Sequence, residues 1–596
     1  MVQVDQAVTP QVSHSQVGRR ILRATGALML IQVVMRGFGL IEKMILGRLF
    51  GTSYLTDAYN AAKDIAFYIF QMVDQVVMHS FLPVFVQRLR EQDEKDAWRL
   101  ASTTINILML IMAAVAIGGI AFAPKLLPFF VPNWFAHPDK YPADLVPLTI
   151  KLMRAMLVTV IFLATSSLTY CLLNSYKQFA LPASADLALK GTVLVFALLF
   201  AKSWGPYALA VGFIFGAMAK VLVHGGGLRR QILNYRPVID LRHVGLKQFA
   251  LLALPLIIST GFSIFRQVMD TRFTSYLPEG SLSALKFART LCDVPVQFFP
   301  FAFGIALFPF LADIAVAGDK TRLREMLMMA TRMMILIFLP LGAMLIALRD
   351  PLVFTVYGSK AMLTTQPLIL YALGMVVGAL EIIVLQFFFA MSDTMRPSIV
   401  AILIIPLHIG ASYLGIHYLG WGIMAIAGAL LLSKGTKVII LYAMIRKKLL
   451  TLEGKRTLIL IGKVIVALIP LIAVLLLGNH LMRHHQVVTT PESRIEQPVG
   501  TQPPALVTTN PPQLAPGTST GSPTAEKPAK KSGGLKSKLR KVLALLPYVF
   551  FGLVGFLLYL GVLYLLRADE VMILIDRVRG KLKKRGTAAP AQPSAP

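Results

Sequence analysis

Residues 31–47 read IQVVMRGFGLIEKMILG, and residues 57–85 read DAYNAAKDIAFYIFQMVDQVVMHSFLPVF. A helix needs about 20 mostly apolar residues to cross the hydrocarbon of a bilayer, and both quotations sit in runs of that length. Each nevertheless carries ionisable groups: Arg36, Glu42 and Lys43 in the first, Asp57, Lys63, Asp64, Asp74 and His79 in the second. A charge inside a span is costly unless it faces protein or water. The two stretches therefore predict a membrane-spanning bundle with a polar interior.

The rest of the chain agrees. Of 596 residues, 56% are hydrophobic and 15% charged, an apolar share too large for an ordinary water-soluble domain. The 59 Lys and Arg against 29 Asp and Glu give a net charge of +30. A nucleic-acid binder carries such charge on a wet surface, whereas here long apolar runs separate the basic residues, so no nucleic-acid partner is expected. Apolar windows fall near 24–47, 57–86, 103–124, 145–173, 183–201, 205–223, 249–276, 283–312, 328–347, 364–390, 398–416, 421–444, 459–479 and 541–565. The fold class expected is all-α and polytopic, with about 14 transmembrane helices. The polar start, MVQVDQAVTPQVSHSQVGRRILR, argues for a retained first span and against a cleavable signal.

TSYL occurs at 52–55 and again at 274–277, each beside a charge-bearing span that ends near a proline, Pro83 or Pro309. The shared order suggests duplication: two pseudo-symmetric six-helix bundles, 24–225 and 249–445, plus two C-terminal helices in 446–480 and 541–566. An N-terminal tail (1–23), a linker (226–248), a Pro/Thr-rich disordered linker (481–540) and a basic tail (567–596) complete the division. Two bundles around a shared cavity suit alternating access. Lys and Arg gather in alternate short loops, for example Arg88, Arg90, Lys95 and Arg99, then Arg229, Arg230, Arg236 and Arg242. That pattern predicts both termini in the cytoplasm.

The candidate site is drawn from the buried charges. Arg36, Gly39 and Lys43 share one helix face, with Glu42 about 100° away. Lys43 reads either as a cavity cation or as a side chain snorkelling to the interface. Asp57 reads equally as a helix start or as a substrate-binding or gating acid, and Lys63 with Asp64 as a mutually cancelling pair. Arg266 and Asp270, then Arg289 and Asp293, repeat a four-residue spacing that suits ion pairs, with Arg272 beyond the first. Pro295 and Pro300 argue against an unbroken straight helix around Arg289. Arginines from three spans converging on one cavity would favour an anionic head group, because the guanidinium fork matches phosphate. Cys171 and Cys292 form no ligand or redox spacing, and no P-loop, H-E-x-x-H or G-x-S-x-G motif occurs. No cofactor, metal or catalytic residue is expected.

Three blocks in order, RGFGLIEKMILGRLFGTSYLTDAY at 36–59, SLSALKFARTLCDVPVQFFPFAFGIALFPFLAD at 281–313 and FFFAMSDTMRPSIV at 387–400, resemble the MviN/MurJ family of lipid II flippases in the multidrug, oligosaccharidyl-lipid and polysaccharide exporter superfamily. The likeness covers roughly 20–480 and, more loosely, 541–585. It implies a V-shaped inner-membrane protein that moves the undecaprenyl-pyrophosphate-linked peptidoglycan precursor outward by ion- or potential-driven alternating access, without ATP. It also implies cavity-lining arginines in spans one, two and eight, and a lipid-tail groove formed by the last two helices. Carried over by position, Arg36 and Asp57 match the family, and Asp293 matches its span-eight acid. The second span-one arginine falls on Glu42, the span-two arginine near Gln71, and the span-eight arginine on Thr290, next to Arg289. Either Lys43, Arg266, Arg272 and Arg289 supply the missing charge, or the substrate has changed. The expected partners are that precursor, membrane lipids and cell-wall synthesis proteins, with the chain a monomer in the bacterial plasma membrane. Rival readings are export of another polyprenyl-linked glycan, cation-coupled drug export through Asp64, Asp74 and Glu381, and a non-transporting scaffold.

Overall fold

The computed structural model describes residues 34–91, 94–178, 180–449, 454–489 and 546–572. The two tails and most of the 481–540 linker lie outside them. The long helices are α1 (34–49), α2 (Tyr54–Glu91), α3 (Glu94–Phe130), α4 (Leu145–Ser175), α5 (Ala180–Trp204), α6 (Tyr207–Gly227), α7 (Val244–Thr274), α8 (Ser281–Val316), α9 (Lys320–Ala347), α10 (Ser359–Ala390), α11 (Met395–His417), α12 (Ile423–Leu449), α13 (Gly454–Thr489) and α14 (Leu546–Leu565). Eleven of them, α2–α7 and α9–α13, are long and apolar enough to cross a membrane, so the fold is an all-α polytopic membrane bundle. A short helix, Arg349–Tyr357, links α9 to α10.

Helices satisfy their own backbone groups, which is why hydrocarbon admits them. Large apolar side chains such as Leu222, Ile439 and Ile469 accordingly stay exposed on helix exteriors. Inside, α4 packs on α2, α3 and α6, while α10 packs on α8, α9 and α12. Small residues set the closest approach. A Cβ on Gly216 of α6 would stand 2.7 Å from the Leu189 carbonyl of α5, so the two backbones nearly touch there. Helix α13 packs on α14 and α9.

Two local expectations are corrected. Helix α8 runs unbroken from Ser281 to Val316 despite Pro295 and Pro300. Membrane helices tolerate proline because neighbours and local adjustments satisfy the freed carbonyls. Helix α2 absorbs its own proline differently: a π-helical turn, Val77–Phe81, lies just before Pro83, which has no N–H to donate. Helix α13 continues to Thr489, past the boundary at 480, since the next proline is Pro491.

Candidate functional site

Helix α1 turns its charges inward. The buried Glu42 carboxylate takes a 2.7 Å ion pair from Lys63 and a 3.0 Å hydrogen bond from the Tyr59 hydroxyl, both on α2. Lys43 donates to Asn60 Oδ1 at 3.1 Å, so it does not reach out to an interface. Glu42 and Lys43 face α2 together because Tyr59, Asn60 and Lys63 offer partners across more than one side of that helix. On the opposite flank, Arg36 donates to Gln297 Oε1 of α8. Gly39 leaves room for Lys190 of α5: a Cβ there would lie 3.3 Å from its ammonium nitrogen.

Helix α2 also presents Asp57, Asn60 and Asp64 to α8, at a spacing that keeps them on one face. Asp57 is buried and accepts the backbone N–H groups of Gly280 and Ser283, at 2.7 and 2.8 Å, as well as the Ser283 hydroxyl. Glu279 in turn accepts the Tyr54 N–H at 2.7 Å. Each helix thus receives its N-terminal cap from the other, satisfying donors that a helix start leaves free. The exchange is possible because the α1–α2 and α7–α8 loops, which hold the two TSYL words, touch. Asn60 Nδ2 donates to Ser283 Oγ at 3.1 Å, and Lys286 ion-pairs with Asp64. Lys63 and Asp64 are therefore not mutual partners; adjacent residues on a helix point about 100° apart and find separate ones.

The expected i, i+4 pairs form, Arg266 to Asp270 at 2.9 Å and Arg289 to Asp293 at 3.2 Å. Arg289, Lys286, Asp64, Asp270, Tyr68 and Tyr371 line one cavity of about 160 Å³ between α2, α7, α8 and α10. Arg36 lies within electrostatic reach of Asp293, which joins it to this group. Arg272 stands apart, bound to the Phe129 carbonyl at 2.7 Å where α3 ends. Asp270 has a second partner, His408 of α11, at 2.6 Å. Within the cluster Arg36, Lys43, Lys63, Lys190, Arg266, Lys286 and Arg289 outnumber Glu42, Asp57, Asp64, Asp270 and Asp293.

A profile of the family described as Lipid II flippase MurJ matches residues 46–493. The chain belongs to that family. The probable lipid II flippase MurJ of Borreliella burgdorferi is 24% identical over 448 residues, covering 74% of this chain and 86% of that one. The lipid II flippase MurJ of Burkholderia cenocepacia is 26% identical over 397 residues, covering 64% and 75%. Among solved structures, lipid II flippase MurJ in an inward closed conformation superposes with a TM-score of 0.62 at 18% identity, over 89% of this chain and 97% of that one. An inward-facing multidrug transporter of the MATE family gives 0.58 at 13% identity, over 69% and 94%.

Three departures from the MurJ-family arginine pattern now have a spatial context. The resemblance puts family arginines at Glu42, near Gln71 and at Thr290, and Lys63, Lys190 and Lys286 bring cations into the same cluster. Reading charges span by span missed Lys190, Lys286, Gln297 and His408. Periodicity held part of the signal, since Lys286, Arg289, Asp293 and Gln297 recur at three- and four-residue steps along α8. Nothing local marked Lys190, one of two lysines in the mostly apolar α5, as a neighbour of Gly39.

Proposed function

We propose that the chain carries lipid II, the undecaprenyl-pyrophosphate-linked peptidoglycan precursor, from the inner to the outer leaflet of the bacterial plasma membrane by alternating access. The observation that carries this reading is the cationic excess where α1, α2, α5, α7 and α8 meet. Arg36 and Lys43 hydrogen-bond neutral amides, Gln297 and Asn60, so an anionic head can engage both without breaking an ion pair. Lys63, Lys286, Arg266 and Arg289 are each matched by a carboxylate and set the field around them. Arg36, Lys43, Arg289 and Asp293 form the binding surface, with Arg266 behind them. Asp57 holds the loop end of the site, and Arg272 anchors α7 to α3.

In this reading α1–α6 and α7–α12 are two six-helix bundles that rock about the cluster, and α13 with α14 shelters the polyprenyl tail. Support for the tail path comes from two apolar grooves beside α9. One, of about 630 Å³, lies against α10 and α13 and is lined by Phe338, Leu339, Leu468 and Leu476; the other, of about 590 Å³, lies against α14 and is lined by Leu341, Leu553 and Phe556. The basic loops assign both termini to the cytoplasm. The chain works as a monomer, without cofactor or metal.

The test is exchange of fluorescent lipid II across proteoliposome membranes. Arg36→Ala and Arg289→Ala are each expected to slow it by on the order of tenfold or more, as loss of a charge-assisted phosphate contact predicts. Unchanged rates in both variants sink the proposal. Transport of other polyprenyl-linked glycans but not lipid II would reassign the substrate, the outcome favoured if Glu42 and Thr290 reflect a changed head group.

A further inference from the structure

The chain leaves α6 at Gly227 and enters α7 at Val244. Between them, residues 228–243 form one short 3₁₀ turn, Gln231–Asn234, and otherwise run as a non-helical strap. Irregular backbone close to hydrocarbon needs partners other than its own turns. Helix α3 supplies them. Ser102 Oγ accepts the Arg236 N–H at 3.1 Å, and Thr103 Oγ1 accepts the Asp240 N–H at 3.2 Å. Asn106 Nδ2 donates to the Arg236 and Val238 carbonyls at 3.4 and 3.0 Å, while its Oδ1 accepts the Tyr235 hydroxyl at 2.6 Å. Arg99 pairs with Asp240 at 2.9 Å, and His243 meets Asp96 at 3.2 Å. Asp96, Arg99, Ser102, Thr103 and Asn106 recur at three- and four-residue steps, so one face of α3 holds the whole strap.

The outward side of the strap is apolar and basic. Ile232, Leu233, Val238, Ile239, Leu241 and Val244 are exposed, Leu233 by 83% and Leu241 by 72%. Arg229, Arg230, Arg236 and Arg242 stand exposed among them and pair with no carboxylate among the described residues. The single acid of the strap, Asp240, is already taken by Arg99. A contiguous apolar surface marks an interaction site when it is left open to water. A membrane surface accepts both halves of this one, with side chains such as Leu233 at the acyl boundary and guanidinium groups on headgroup phosphates.

The depth agrees. Leu110 lies four residues after Asn106 on the same face of α3 and is 60% exposed, with Met109 and Ile111 exposed beside it. Four residues of helix rise about 6 Å, so the strap lies that far from an apolar exterior suited to lipid. Interfacial segments sink about 5–10 Å between headgroups and acyl chains, and the strap falls within that band.

We propose that residues 228–244 form a membrane-surface site for anionic phospholipid. The apolar side chains enter the acyl boundary of the adjacent leaflet, and Arg229, Arg230, Arg236 and Arg242 take its headgroup phosphates. A zwitterionic headgroup offsets its own phosphate with an ammonium, so four arginines without acidic partners select lipid of net negative charge. None of these residues lines the chamber cavity between α2, α7, α8 and α10, and the site does not depend on what that chamber carries.

The full chain carrying Leu233→Cys tests this. Cys171 and Cys292 are buried, which directs a small fluorophore to position 233. The labelled protein is placed in nanodiscs of mixed phosphatidylcholine and phosphatidylglycerol, with a nitroxide near the carbonyl end of the acyl chains of one lipid or the other. Both lipids are expected to quench the label, with phosphatidylglycerol favoured on the order of fivefold at equal mole fraction, the preference that one well-placed basic residue confers. Replacing Arg229, Arg230, Arg236 and Arg242 together by Gln is expected to abolish the preference and leave the quenching. Salt supplies a test that needs no arginine variant: raising it from about 0.1 M to about 1 M shortens the Debye length from about 10 Å to about 3 Å and is expected to erode the preference. Equal quenching by the two lipids at the lower salt overturns the proposal. A label that neither lipid quenches lies in water, or under another protein or a second copy of the chain, and overturns it as well. A preference that survives both the four substitutions and the salt removes the arginines as its cause.

Discussion

Lys63→Met is expected to lower the stability of the bundle by roughly 3–5 kcal/mol, the cost of removing one partner from a buried ion pair. The reason is Glu42. Its carboxylate is buried, takes the Lys63 ammonium at 2.7 Å, and has Tyr59 as its other close donor. Methionine fills much of the lysine volume beside Phe67 and Phe213, so the loss falls on charge more than on packing. Glu42→Gln in the same chain removes the stranded charge and is expected to restore most of the stability. Thermal unfolding of the two single variants and the double variant in detergent gives the coupling directly. Additive losses would show that Lys43 or Lys190 already neutralises Glu42, and the pairing described for α1 and α2 would then be wrong.

Gly280→Ala is expected to open the contact between the α1–α2 and α7–α8 loops. Gly280 has φ of 84°, a conformation costly for any residue with a side chain, and an added Cβ would stand 2.3 Å from the Thr52 carbonyl. The loops must separate, and with them go the Asp57 contacts to Gly280 and Ser283. Unsatisfied buried donors add about 1–3 kcal/mol. The native cysteines, Cys171 and Cys292, are buried, so a cysteine at the buried Ser281 reports the change cleanly. That cysteine is expected to resist a polar maleimide in the parent chain and to react in the Gly280→Ala background. Equal protection in both would mean that the loops accommodate the methyl group without parting.

How far the charges could be read in advance depended on the distance to their partners. Arg266 with Asp270 and Arg289 with Asp293 were legible because one helical turn brings them together whatever surrounds the helix. Lys63 with Asp64 looked equally plausible as neighbours, yet their partners are Glu42 and Lys286, 21 and 222 residues away. Asp57 stands in the first turn of α2, as a helix start should, while its carboxylate caps α8. Arg272 is an arginine near the end of a charged span like the others, and only the position of Phe129 explains why it leaves the cluster.

Sequence by itself determined that this chain is a membrane-spanning helical bundle, because a bilayer imposes apolar length and internal hydrogen bonding on any segment that crosses it. It also carried the family, through three ordered blocks. Tertiary structure alone decided which cations pair with buried carboxylates, which meet neutral amides, and that His408 closes on Asp270. Those outcomes depend on helices hundreds of residues apart meeting at particular rotations, and a 100° turn of one helix would exchange every partner without altering its hydropathy.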